Sequence, residues 1–172
     1  MTVSALAGGA WLAATALAHA GPPATQDTTP LAFLGIRAGT PLEELSAELH
    51  RRHGHLRCRD ARSDARVREC RGALPDSLAG EVAVWVSTMD GAAGVITLSA
   101  PVTDSGLRAW RDDLARRYGR VTTAAQGTQR MMQWVRRGRM LRLTWRTERT
   151  GTTASVSLVD GRVLDRWGRG PG

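Results

Sequence analysis

The chain contains no lysine: all 24 of its basic residues are arginine, set against 16 acidic ones, for a net charge of +8. Such a one-sided usage arises in a GC-rich genome without selection for any ligand, so the basic balance alone does not call for nucleic acid or an acidic polymer. Arginine still matters chemically, because its planar fork stays charged and binds carboxylates and phosphates through two parallel bonds. Cysteine is almost absent. Cys58 and Cys70 are the complete set, too few for a four-thiolate zinc site and suited in an exported protein to one disulfide. The loop between them is short, and the chain-entropy estimate for its closure is about 3 kcal/mol. Histidine is confined to His19 in the N-terminal apolar run and to His50, His53 and His55. A nucleophile–base pair therefore has one short stretch from which to draw its base. The sequence has no Gly-x-Ser-x-Gly elbow, no phosphate-binding glycine loop and no His-Glu-x-x-His, which removes the catalytic classes that leave a local signature.

What is present begins with a secretion signal. Val3 to Leu17 is apolar and alanine-rich, and Ala18-His19-Ala20 before Gly21 has the small-x-small form of a cleavage site. Residues 1–20 are therefore read as a signal peptide and the protein as periplasmic or secreted. A retained membrane anchor is the second reading, since a spanning helix ordinarily needs about 20 strongly apolar residues. Residues 21–30, rich in proline and small polar side chains, read as a linker. Residues 168–172 read as a disordered tail.

Between them, residues 31–167 read as one α+β domain. Thr40-Pro41-Leu42-Glu43 has the form of a capping box, with Leu42, Leu45 and Leu49 as an apolar stripe and Gly54 as the left-handed terminator. Sixty-five residues later Leu114-Ala115-Arg116-Arg117-Tyr118-Gly119 repeats Leu49-His50-Arg51-Arg52-His53-Gly54. The second helix is expected over Ser105 to Gly119, capped by Asp104 or Ser105, with Leu107, Trp110, Leu114 and Tyr118 as its stripe. Leu56 to Asp60 and Arg66 to Gly72 read as a hairpin held by a cross-strand Cys58–Cys70 disulfide. Eight arginines between residues 51 and 71 leave that hairpin little apolar surface of its own.

Val82 to Val86 and Val95 to Ser99 read as the next two strands, with Pro101 ending the sheet. Gln129 to Arg137, Met140 to Thr147 and Ala154 to Val159 form a three-strand meander, and Arg162 to Trp167 is a closing strand. A second match sets Val82 to Gly91 over Thr152 to Gly161, with Asp-Gly turns at Asp90-Gly91 and Asp160-Gly161. The expected architecture is two helix-plus-antiparallel-sheet half-repeats, 31–100 and 101–167, with both helices packed on one face of the sheet.

This order of elements, with Gly35-x-x-x-Gly39-Thr40-Pro41-x-Glu43-Glu44-Leu45 opening the first helix, resembles the β-lactamase-inhibitor-like and outer-membrane-assembly group of small exported proteins. The resemblance implies helix-plus-sheet halves that present a sheet face to a protein partner. It carries no residue roles onto this chain.

His50, His53 and His55 beside Cys58 are the first place to seek a metal, but polar residues at a helix C-terminus are explained by the dipole. No metal or cofactor is assigned. Asp112 and Asp113 are neighbours on a helix and point about 100° apart, which suits a solvated face better than paired catalysis. No catalytic residue is assigned, and a small enzyme with a carboxylate-only site is the third-ranked function. The outer sheet face holds the candidate site. If Leu141, Leu143 and Trp145 face the helices, Arg142 and Arg146 face away, joined by Arg137 and by Trp85 of the first half. Arginine and tryptophan are the commonest interface anchors. The function expected is a non-catalytic module that binds an acidic protein surface, or serves as an extrinsic subunit of a membrane complex. The alternative is a binder of anionic polymer or lipid headgroups at a membrane surface. Nucleic acid is least favoured given export, and the oligomeric state is left open.

Overall fold

The computed structural model describes residues 29–167; the signal-peptide and tail expectations and most of the expected linker lie outside the described residues. The fold is α+β. A first helix, α1 (Leu42–Arg51), is followed by β1 (His55–Asp60), β2 (Val67–Asp76), β3 (Gly80–Met89) and β4 (Ala92–Val102). Then come α2 (Asp104–Tyr118), β5 (Ala124–Gln126), β6 (Gln129–Arg136), β7 (Arg139–Glu148), β8 (Gly151–Asp160) and the short α3 (Gly161–Leu164). The strands form one antiparallel sheet in the order β1-β2-β3-β4-β8-β7-β6-β5. The last strand of each run of four thus lies at the centre, β4 against β8 from Val95↔Val159 to Val102↔Thr152. No described helix is long and apolar enough to cross a membrane.

Alternation builds the core. Val82, Val84 and Val86 of β3, Ile96, Leu98 and Ala100 of β4, Ala154, Val156 and Leu158 of β8, and Leu141, Leu143 and Trp145 of β7 are all buried in one cluster. The same cluster holds Leu45 and Leu49 of α1 and Leu107, Trp110, Leu114 and Tyr118 of α2. The α2 stripe read from sequence is therefore buried in full, whereas α1 buries Leu45 and Leu49 and leaves Leu42 half-buried against the cluster. Leu31, Phe33 and Ile36 join the cluster from a tight turn in which Leu34 and Gly35 both take positive φ. Phe33 meets Trp110 edge-on at 4.9 Å, and the Tyr118 hydroxyl receives the Ala32 N–H at 2.8 Å.

The helix ends differ from the expected ones for identifiable reasons. The capping box does not form. Residues 39–42 run beside the start of β4 instead, with Gly39 N–H to Ala93 O at 2.7 Å, Ala93 N–H to Thr40 O at 3.0 Å and Leu42 N–H to Gly91 O at 2.8 Å. The first helical N–H thus has a backbone acceptor, and Pro41 takes the N-cap position without a side-chain bond. At the other end His53, not Gly54, adopts the left-handed conformation, with φ 60°. His53 N–H bonds His50 O and Gly54 N–H bonds Leu49 O, the Schellman pattern with histidine at C′. On α2 the cap is Thr103, whose hydroxyl accepts the Gly106 N–H at 3.1 Å, rather than Asp104 or Ser105.

Three further expectations are corrected. Pro101 does not end the sheet but lies within β4. Pairing with β3 stops at Ser99, so Pro101 has a neighbour on one side only, the setting in which a missing N–H is tolerated. Arg162 to Trp167 forms no strand, because the Asp160 carboxylate accepts the Arg162 N–H at 3.0 Å and caps α3, whose Val163 is buried. Asp90-Gly91 and Asp160-Gly161 have unlike roles: the first is the β3–β4 hairpin turn, with φ of 50° and 75°, and the second opens a helix. The meander also gains a short fourth strand, β5.

Candidate functional site

Because side chains alternate along each strand and cross-strand partners share a face, the register fixes what faces away from the core. Cys58 pairs with Cys70, and Cys70 is fully buried; the sulfurs are joined as expected, and no described cysteine is free. The neighbouring positions therefore point the other way. Following the register from strand to strand gives one continuous row across seven strands: Arg57, Arg71, Trp85, Thr97, Ser157, Arg142 and Gln133. The parallel row beside it is His55, Ala73, Ala83, Ser99, Ser155, Thr144 and Met131. The centre of this face is thus paved with small side chains, and larger ones rise on either side.

Charges on the face sort themselves into paired and unpaired. Arg59 contacts Glu69 across β1 and β2 at 3.1 Å, and Arg146 contacts Glu148 at 2.7 Å. Arg142 donates to the Gln133 side-chain oxygen at 2.8 Å. Arg57 and Arg71, directly opposite one another and both exposed, make no side-chain hydrogen bond or ion pair among the described residues. Trp85, half-buried, stands beside Arg71 on β3.

Of the four residues singled out from sequence, Trp85, Arg142 and Arg146 share this face. Trp85 and Arg142 lie in the same row but three strands apart, about 14 Å at ordinary strand spacing. Arg146 sits two side-chain steps further along β7. Arg137 is not on the face. It occupies the β6–β7 turn with φ 49°, followed by Gly138 at 77°. Arg57 and Arg71 were missed, although any antiparallel pair that sets Cys58 against Cys70 also sets Arg57 against Arg71.

The same face carries two shallow depressions. One, of about 560 Å³, is lined by Gln126, Gln129, Thr144, Arg146, Glu148, Thr153 and Ser155. The second, of about 430 Å³, continues it through Glu148 and Thr153 to Pro101 and Leu78. Both are open, and both are lined by hydroxyl side chains and Glu148. Elsewhere three carboxylates bind neighbouring arginines. Asp113 contacts Arg116 at 3.2 Å and Arg117 at 3.0 Å on α2. Asp160, buried, receives Arg139 Nε at 2.6 Å. Asp64 is held below the ordinary carboxylate range by the Arg66 guanidinium and the Arg66 N–H, which close the β1–β2 turn. No group of three or more His, Cys, Asp or Glu side chains suited to a metal occurs among the described residues.

No protein-family model, curated protein or solved structure matches this chain. The sheet face offers guanidinium groups, an indole and a floor of hydroxyl and methyl groups. Guanidinium groups bind anions through paired hydrogen bonds, and an indole adds apolar contact area.

Proposed function

We propose that the protein is an exported, non-catalytic interaction module whose open sheet face docks on an acidic surface of a partner protein or of a membrane complex. The single observation that carries this reading is the row Arg57–Arg71–Trp85–Thr97–Ser157–Arg142–Gln133. It places unneutralised arginines and a tryptophan on either side of a small-residue floor on the face away from the core cluster. Arginine and tryptophan supply most of the free energy of protein interfaces, and small residues between them let a partner's backbone approach.

The finer architecture belongs to the same proposal. The order helix, four strands, helix, four strands, with β4 beside β8, supports two halves related by an approximate two-fold axis between the central strands. The participation of both helix stripes in one core cluster supports their packing on a common side. This arrangement is also what the resemblance to the β-lactamase-inhibitor-like group implies.

The test is capture of binding proteins from the native envelope with the wild-type chain and with W85A/R142A/R146A. Loss of the captured partner by a folded triple variant supports the reading, and unchanged capture overturns it. The alternative, a binder of anionic polymer or lipid headgroups, is favoured by the residual net charge and distinguished by salt. Counterion-driven binding weakens steeply between 50 and 200 mM salt, whereas an interface anchored by Trp85 persists.

A further inference from the structure

We propose that Arg57 and Arg71, held face to face by the Cys58–Cys70 disulfide beside Trp85, form a carboxylate-binding clamp for an acidic segment of a partner protein. The proposal rests on the sheet-face reading and names the part of that face where the partner's charge is received.

Three observations converge on it. First, Arg57 and Arg71 are direct cross-strand partners, an arrangement that destabilises a sheet when the charges are alike. Of the acids on this face, Glu69 pairs with Arg59 and Glu148 with Arg146, while Glu81 stands opposite Pro75, four residues along β3 from Trp85, so none is paired with Arg57 or Arg71. Second, β1 has little reason of its own to stay. Its residues are exposed apart from Leu56, which is half-buried, and it lies at the sheet's edge. The disulfide to fully buried Cys70 adds a covalent attachment to the backbone ladder with β2. Gly72 permits the approach, since a Cβ there would lie 1.8 Å from the His55 carbonyl oxygen. Third, the pair opens beside Trp85, whose indole gives an apolar wall next to two guanidinium forks. A carboxylate placed between the forks accepts from both, the geometry for which arginine is suited. A protein segment is favoured over a headgroup or polyphosphate because the adjoining floor of Ala73, Ala83 and Ser99 suits a packed backbone.

The test uses the oxidised full chain and fluorescein-labelled octaglutamate as probe, followed by anisotropy at 50 and 150 mM salt. The wild type is expected to bind. R57Q/R71Q should weaken binding at least tenfold, while R108Q/R120Q, which removes the same charge from exposed sites outside the sheet, should change it less than threefold. The Tm of R57Q/R71Q should equal or exceed that of the wild type, because a like-charge contact is removed. Reduction with a phosphine should lower wild-type affinity at least fivefold and leave R57Q/R71Q unaffected.

Equal weakening by the two double variants, absence of wild-type binding, a fall in Tm of R57Q/R71Q, or full affinity after reduction would overturn the clamp. So would tighter binding to phosphatidylglycerol vesicles than to the peptide. If captured partners depend on Trp85, Arg142 and Arg146 but not on Arg57 and Arg71, the clamp fails and the sheet-face reading stands. If capture ignores the first three, the sheet-face reading fails and the peptide measurement still decides the clamp.

Discussion

The end of α1 allows a test in which two adjacent substitutions move stability in opposite directions. His53 is exposed and carries φ 60°, a conformation that costs an L-residue roughly 1–2 kcal/mol. H53G removes that cost and returns about half of it through the greater freedom of glycine in the unfolded chain. A gain of about 0.5–1 kcal/mol remains, or roughly 1–4 °C in Tm for a domain of this size. Gly54 has an ordinary φ but no room. A Cβ there would lie 2.7 Å from the Ala73 carbonyl oxygen and 3.1 Å from the Leu49 carbonyl oxygen. Both are backbone atoms that can yield only by disturbing β2 or the Gly54 N–H to Leu49 O bond at 2.8 Å. G54A should therefore lose about 2 kcal/mol or more, as overpacking against a fixed wall does. Urea and thermal unfolding of the two variants at one pH measure both effects. A stable G54A within about 0.5 kcal/mol of wild type, together with a destabilised H53G, would refute the helix-end geometry.

Y118F removes the acceptor of the Ala32 N–H and the donor that reaches the Ala32 carbonyl at 2.9 Å. It should cost about 1–2 kcal/mol and speed amide exchange at Ala32 more than at the centre of α2, as proton exchange by NMR would show. G72A drives a methyl into the His55 carbonyl. It should release β1, exposing the amides of residues 55–60 to exchange and slowing formation of the Cys58–Cys70 bond in oxidative refolding, while protection in β4 and β8 persists. Asp64, held below its ordinary value of 3.8 by Arg66, binds its proton less readily folded than unfolded. Its contribution is therefore fully present above the ordinary carboxylate pKa and lost as pH falls through the lowered value. The stability gap between wild type and D64N should be flat from pH 7 to about 4.5 and close below that, as urea titrations at each pH would reveal.

Elements were legible in the sequence where period and burial agree. The stripe Leu107–Trp110–Leu114–Tyr118 is buried in full, and the alternation Leu141–Leu143–Trp145 lies in the core. The boundaries were less legible because tertiary bonds outcompete local ones. Thr40 and Glu43 make a sound capping box in isolation, but β4 offers carbonyl and N–H partners at Gly91 and Ala93, and the chain runs alongside them. Likewise the glycine that looks like a helix terminator is needed for close approach, and its neighbour bears the unusual torsion. Arg162 to Trp167 has strand-like spacing, yet one carboxylate at its start suffices to cap a turn of helix. The second repeat register failed for a related reason. Asp-Gly is a hairpin signal only when a strand follows, and after Asp160 none does.

The site was legible by halves, and the division follows the topology. Trp85, Arg142 and Arg146 can be assigned to a face from alternation within one strand, which is local information. That they form the walls of one surface depends on β4 pairing with β8, a contact between segments some sixty residues apart that no local pattern reports. The same pairing explains the floor. Central strands are buried on their core face by Ile96, Leu98, Val156 and Leu158, while their other face is occupied by Thr97, Ser99, Thr153, Ser155 and Ser157. The side chains there are small and hydroxylic, with Thr97 and Ser157 oxygens 3.4 Å apart, and the bulkier ones stand on the flanking strands. Arg57, Arg59 and Arg71 of β1 and β2 thereby lie together to one side of the small central residues. The disulfide fixes which two arginines meet. A GC-rich genome raises the number of arginines in a chain, whereas the placing of Arg57 directly opposite Arg71 follows from the register that joins Cys58 to Cys70.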